Sequence, residues 1–161
     1  MFKRVKVSEF EQAVLFRDGR LVRRLDPGIH WVRGEAVIVD LRRRDTEVLA
    51  APVQLRELLP LGIRLRISYR VKDPVAALLQ VYEYRTHLAN DAISTVHRVV
   101  SPVSMAELSS ERVRLEQQIH DRLALETSAY GLRVEEVSIL EYRLPRSIRK
   151  RLKQMEVTGP P

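Results

Sequence analysis

Ile63-Arg64-Leu65-Arg66-Ile67-Ser68-Tyr69-Arg70-Val71-Lys72-Asp73-Pro74 carries two rules of local structure back to back. Ile63, Leu65, Ile67, Tyr69 and Val71 fall on one side, and Arg64, Arg66, Ser68, Arg70 and Lys72 on the other. A period of two held over nine residues predicts a strand buried on one face only. Asp73-Pro74 then predicts a helix start, with a capping carboxylate followed by proline at the first helical position. A half-buried strand therefore runs directly into a helix. The residues before this step read as strands and turns, and those after it as helices.

Upstream, Gln12 to Leu25 predicts a hairpin. Val14 and Phe16 precede Asp18-Gly19, and Leu21 and Leu25 follow it. Asp-Gly at that place suits the positive φ angles of a type I′ turn. Pro27-Gly28 predicts the next corner. Ala36 to Leu41 (AVIVDL) is apolar on both sides and reads as a covered strand, with a shorter extended run over Thr46 to Ala50.

Downstream, a short helix is expected to Tyr82. A longer one from Tyr84 to Val100 places Leu88, Ala92, Ile93, Val96 and Val100 on one stripe. Ser104-x-x-Glu107 is a capping box, opening a helical region that continues to about Tyr130 and stops at Gly131. Its stripe of Leu108, Leu115, Ile119 and Leu123 lies opposite Arg114, Gln117 and Asp121. A last strand spans Leu132–Tyr142, and Pro145 starts a basic C-terminal helix. Strands first and helices afterward predict an α+β fold, with a mostly antiparallel sheet in the first half packed against helices, then a late strand and the basic helix. A parallel dinucleotide-binding sheet is not expected, because strands and helices do not alternate.

The four cations of the alternating strand, Arg64 with Arg66 and Arg70 with Lys72 each about 6.8 Å apart, would repel without acids across from them. Glu135, Glu136 and Glu141 of the late strand are the candidates, and a plain solvated sheet face is the simpler alternative.

The 161 residues fit one domain, and 45% hydrophobic with 30% charged residues is a globular composition. There is no cysteine, which excludes disulfides, thiolate metal sites and cysteine nucleophiles. The longest uncharged run, Pro74 to Tyr82, has nine residues, against roughly 20 for a membrane-spanning helix. The net charge of +7 is unevenly placed. Residues 1–80 carry 16 Lys/Arg and 10 Asp/Glu, residues 81–142 carry 6 and 10, and residues 143–161 carry 6 and 1. A basic first half and tail around an acidic middle suit an anionic surface partner or head-to-tail contact between copies.

Catalytic signatures are missing: there is no nucleophile elbow, phosphate loop, dinucleotide fingerprint or zincin motif. Among the four histidines, His87 and His97 fall ten residues apart on one predicted helix, about 15 Å along it, too far to share a metal ion. His30, after Pro27-Gly28, reads as a structural turn residue, and His120 has no ligand-like spacing. No enzyme activity, cofactor, metal or small-molecule substrate is expected. The basic charge admits a nucleic-acid-binding module as an alternative. No recognised nucleic-acid motif accompanies that charge, and Phe16, Trp31 and Tyr69 are expected to be buried rather than to form a stacking platform.

The order of motifs resembles the SPFH, or Band 7, domain of the stomatin/prohibitin superfamily, nearest to the stomatin-like proteins (slipins). Val14-Leu15-Phe16-Arg17-Asp18-Gly19-Arg20-Leu21-Val22 resembles its opening hairpin, Pro27-Gly28-Ile29-His30-Trp31 its corner, and Val39-Asp40-Leu41-Arg42 its next strand. Ser68-Tyr69-Arg70-Val71-Lys72-Asp73-Pro74 resembles its strand-into-helix step. Tyr84-Arg85, Leu108 to Arg112, Tyr130 to Val134 and Arg143-Leu144-Pro145 follow in the same order. The domain is expected over residues 1–154, with 155–161 as a tail. No hydrophobic anchor precedes this stretch and no long coiled coil follows it, so an excised domain or a minimal member is expected. Leu59-Pro60-Leu61-Gly62 stands where an Asp-Gly turn is common.

The resemblance implies a non-enzymatic, membrane-associated scaffold that oligomerises, organises membrane microdomains and holds partners such as a membrane protease, a channel or a small membrane protein. A peripheral location is expected, otherwise cytoplasmic. From the residues, Phe2, Lys3, Arg4 and Lys6 are candidates for contact with an anionic membrane surface. Arg64, Arg66 and Arg70 of one copy are candidates for contact with Glu107, Glu111, Glu116 and Asp121 of the next, giving a weak homo-oligomer. Asp18, Gly19, Pro27 and Gly28 are the candidate structural turns.

Overall fold

A computed structural model describes residues 1–157. The chain runs β1 (Lys3–Val7), β2 (Glu11–Arg17), β3 (Arg20–Leu25), β4 (Gly28–Val32), β5 (Glu35–Asp40), β6 (Arg44–Gln54) and β7 (Pro60–Val71). Then come α1 (Pro74–Leu79), α2 (Tyr84–Val100), α3 (Met105–Ser110), α4 (Arg112–Ser128), β8 (Leu132–Arg143) and α5 (Arg146–Val157). The α+β class is as read from the pattern, but the strands form three antiparallel sheets rather than one. These are a β1-β4 ribbon, a β3-β2-β5 sheet and a β6-β7-β8 sheet.

The alternating segment is the central strand β7. Leu61, Ile63, Leu65, Ile67, Tyr69 and Val71 face a cluster supplied by Leu88, Ala92 and Val96 of α2 and Leu115, Ile119 and Leu123 of α4. Helix α2 packs along β6 and α4 along β8, so the helices cover one face of this sheet. The opposite face carries Arg64, Arg66 and Arg70. Asp73 caps α1, accepting from the amides of Val75 and Ala76 at 3.2 and 3.3 Å. Gly131 turns the chain at φ +76, and its carbonyl accepts from the amides of Lys72 and Asp73 at 2.7 and 3.0 Å. A methyl group at Gly131 would overlap the Asp73 carbonyl oxygen, so the cap of the first helix and the stop of the fourth are packed together.

The β1-β4 ribbon lies on the β3-β2-β5 sheet through a much smaller cluster of Val7, Ala13, Leu15, Leu25 and Val32. At the hairpin tip Asp18 and Gly19 have φ +52 and +75, the pair of positive values that a type I′ turn needs. Gly28 opens β4 at φ +137, next to Pro27.

Four expectations need correction. β5 is not covered: it forms an edge of its sheet, leaving Ile38 exposed and Ala36 and Val37 half-buried, with only Val39 fully buried. The extended run after it is eleven residues long, not five, because β7 offers a full-length partner. The helical region from Ser104 to Tyr130 is broken at Glu111, whose φ of −113 lies outside helical geometry. Trp31 is exposed and Phe16 half-buried, while Tyr69 is buried as expected.

Candidate functional site

The exposed face of the β1-β4 ribbon is the candidate site. Antiparallel partners project to the same side of a ribbon. Arg4 stands opposite Trp31, and Lys6 opposite Ile29. On the other side Val5 and Val7 of β1 and Val32 of β4 join the small cluster beneath. The inward set closes the module, so the outward set has nothing to pack on: Trp31 is 67% exposed, Ile29 55%, and Phe2, just ahead of β1, 69%. Two large aliphatic or aromatic side chains alternating with two cations, beside a third apolar tip, make an amphipathic platform. Trp suits a boundary between apolar and wet surroundings, since its ring is apolar and its indole N–H remains a donor.

Of the four residues singled out for a membrane surface, Arg4 and Lys6 lie on this face. Phe2 is exposed beside it, and Lys3 stands opposite Val32, on the other side of β1. Sequence reading missed Ile29 and Trp31. Their signal was the same alternation that marked β7: Gly28-Ile29-His30-Trp31-Val32 places Ile29 and Trp31 on one side and His30 and Val32 on the other. His30 is half-buried, with its Nε2 at 2.6 Å from the Asp26 carbonyl oxygen, which ties the corner before β4.

The charges suggested for contact between copies have partners inside the subunit. Arg64 lies 3.9 Å from Glu47 and 3.4 Å from Glu141, and Arg70 bonds Glu135. Glu136 stands opposite Ser68 rather than an arginine of β7 and pairs instead with Arg43, at 2.9 Å, which also lies 3.7 Å from Glu135. Glu107 lies 3.6 Å from Arg56, Glu111 2.6 Å from Arg114, and Glu116 3.0 Å from Arg112. Asp121 accepts from Gln117 at 2.8 Å and lies 3.0 Å from His120, contacts that lower its carboxyl below the usual range, the His120 bond most. Arg66 alone of the three strand arginines has no ion pair among the described residues.

A second row of bonds ties α4 to the free edge of β8. Arg112 donates to the Ile139 carbonyl, the Ile139 amide donates to Glu116 at 3.3 Å, and His120 Nε2 lies 3.1 Å from the Val134 carbonyl oxygen. Side chains one helical turn apart thus occupy positions that a further strand would otherwise take.

The group nearest to a catalytic arrangement is His87, Asp91 and Tyr130. Tyr130 donates to Asp91 at 2.7 Å, and burial, with that bond second, holds its phenol far above the ordinary range. His87 packs edge-on against the Tyr130 ring, 3.8 Å from Asp91. A phenol so held keeps its proton and donates it in the hydrogen bond to Asp91. Among the described residues no group of three or more His, Asp or Glu is arranged to hold a metal ion, and no helix is long and apolar enough to cross a membrane.

The SPFH domain / Band 7 family matches residues 5–158. A stomatin homolog of Pyrococcus horikoshii is 35% identical over 150 residues, covering 89% of this chain and 55% of that protein. A stomatin homolog of Pyrococcus abyssi is 34% identical over 157 residues, covering 93% and 58%. Stomatin-3 of Caenorhabditis elegans is 31% identical over 147 residues, covering 88% and 55%. The chain therefore spans a little over half the length of these relatives. The family match extends from within β1 to the end of α5, and on it the chain belongs to the SPFH domain / Band 7 family.

Proposed function

We propose that this domain is a non-enzymatic, peripheral element of a membrane scaffold, and that it lays the outer face of the β1-β4 ribbon on an anionic leaflet. The exposure of Trp31 and Ile29 between Arg4 and Lys6 carries this reading. Family membership supports it, since the stomatin resemblance implies work at membranes. Each cation near an anionic leaflet contributes about 1 kcal/mol. Partial burial of Phe2, Ile29 and Trp31 adds roughly 1–2 kcal/mol each. A total of roughly 5–8 kcal/mol corresponds to a dissociation constant between millimolar and micromolar. One copy is a reversible binder, and several copies held together would bind far more firmly.

Trp31 is the only tryptophan, so its fluorescence reports on this face alone. Anionic vesicles should shift its emission to the blue and pellet the protein. Trp31→Ser, or Arg4 and Lys6 both changed to Glu, should abolish pelleting without lowering the melting temperature. An unshifted emission with vesicles, or a nucleic-acid gel shift that exceeds vesicle binding at the same salt, overturns the proposal.

Self-association belongs to the same reading. Contact of Arg64, Arg66 and Arg70 with a neighbour's acidic helix would exchange internal pairs for pairs between copies, and exposed pairs contribute only about 0–1 kcal/mol each. The expected result is monomer and small oligomers whose mass rises as salt is lowered. Sedimentation of the wild type and of a variant with Arg64 and Arg66 both changed to Glu checks it, and a monomer at every salt concentration removes the charge contact.

A further inference from the structure

We propose that a hollow at one end of the helix-free face of the β6-β7-β8 sheet docks an acidic segment of a partner protein that carries aliphatic side chains. The hollow has a volume of about 330 Å³ and lies where β8 hands over to α5. Its floor is Gly62 of β7 and Ala51 of β6, neighbours across the sheet with Arg143 of β8 on the far side. A Cβ at Gly62 would come within 3.3 Å of the Arg143 Cβ and 3.5 Å of the Ala51 Cβ, so the missing side chain makes the depression. Leu49, Leu144 and Pro145 line it together with Arg143 and Arg149.

Charge identifies the occupant. Farther along this sheet face Arg43, Arg64 and Arg70 pair with Glu47, Glu135, Glu136 and Glu141, which leaves Arg66 as the β7 arginine without an ion pair among the described residues. The hollow has no acidic lining residue. Arg143 bonds Glu141 through its Nε alone, and Arg149 has no side-chain partner among the described residues. An apolar floor under two guanidinium groups fits an aliphatic side chain flanked by carboxylates, since guanidinium matches a carboxylate in geometry as well as charge. The volume is at the small end of ligand sites, which suits one or two side chains. None of the lining residues belongs to the β1-β4 ribbon, so the site goes beyond the membrane reading and works without lipid.

The probe is a fluorescein-labelled eight-residue peptide alternating glutamate and leucine, titrated by anisotropy at physiological ionic strength. One control peptide has lysine for glutamate, and another has alanine for leucine. The acidic, aliphatic peptide should bind at least about tenfold more tightly than either control. Arg149→Glu and Leu49→Asp, both at exposed positions, should each weaken it about tenfold with the melting temperature unchanged. Trp31→Ser should leave it intact, which separates this site from the membrane face. Equal binding of the three peptides overturns the proposal, as does undiminished binding by both hollow variants. Displacement of the peptide from the Trp31→Ser variant by phosphatidylglycerol vesicles overturns it as well, because the hollow would then be a lipid site.

Discussion

The two halves of the molecule solve the same problem with different resources. Around β6-β7-β8, helices α2 and α4 roof one sheet face, and among the described residues twenty-eight buried apolar ones form one cluster. In the β1–β5 module, among the described residues, no helix roofs the ribbon and the cluster beneath it has five buried members. Short two- and three-stranded sheets have more surface than they can bury. The surplus shows: Phe2, Phe10, Leu21, Val22, Ile29, Trp31 and Ile38 are all exposed large hydrophobics of the first 40 residues. The body buries most of its apolar side chains in its own packing, whereas the module leaves many of them exposed. The two meet where α1 packs against β2, where Arg24 lies 3.2 Å from Asp73, and where Val39 of β5 joins the larger cluster.

The strongest way to break this contrast is to remove a methyl-rich side chain from each core. Leu65→Ala, at a fully buried site between sheet and helices, should cost about 3–4 kcal/mol and lower the melting of the whole chain. Leu15→Ala, equally buried in the module, should loosen β1–β5 first. Hydrogen exchange should then show lost protection in residues 3–40 while β7 stays protected. Uniform loss in both variants would mean that the halves fold as one unit.

The glycines sharpen the comparison at a smaller scale. Gly131→Ala combines positive φ with overlap on the Asp73 carbonyl and should cost about 2–3 kcal/mol. Gly19→Val has the strained angle but nothing within 4 Å, so about 1–2 kcal/mol is expected. Thermal or denaturant unfolding of the two variants orders them. A larger loss at Gly19 would show that the hairpin tip matters more than the junction of α1 with β8.

The smallest expected effect lies at the seam. Arg42 holds the Asp40 carboxyl down at about 2, chiefly by its side-chain hydrogen bond, with Nη2 to Oδ2 at 2.7 Å. Arg42 also covers the Phe10 ring at 3.8 Å. Because the folded value is depressed, the stabilisation is complete above the unfolded value near 3.8 and is lost as pH falls through about 2. The pair is largely open to solvent, so screening leaves only a small part of this stabilisation. Acid titration of stability between about pH 4 and 2 should be shallower in Arg42→Gln than in the wild type. An identical acid limb would remove Asp40 from the linkage.

Much of the body was legible from local rules. The alternation of 63–71, the Asp73-Pro74 cap, the helix from Tyr84 to Val100 and the stop at Gly131 each rest on neighbours within a few residues. The hairpin tip at Asp18-Gly19 is of the same kind. The candidate site was legible only in part. Arg4 and Lys6 stood out by charge, but Trp31 read as buried because a lone large aromatic in a strand usually is. Nothing in its neighbours says that the opposite side of the ribbon is the one that faces the small core.

By itself, then, the sequence determined periodicity, caps, turns and the order of elements, because these depend on backbone geometry and on residues close along the chain. Tertiary structure decided which side of each strand is covered, since that depends on whether a partner layer arrives from far away. It left β5 at an edge, exposed Trp31 and Ile29, and paired Glu136 with Arg43 rather than with the β7 arginines. It also brought Gly62, Ala51 and Arg143 together from three strands into one hollow. Burial and charge pairing are set between distant segments, so alternation shows that a strand has two faces, and packing alone chooses which one meets solvent.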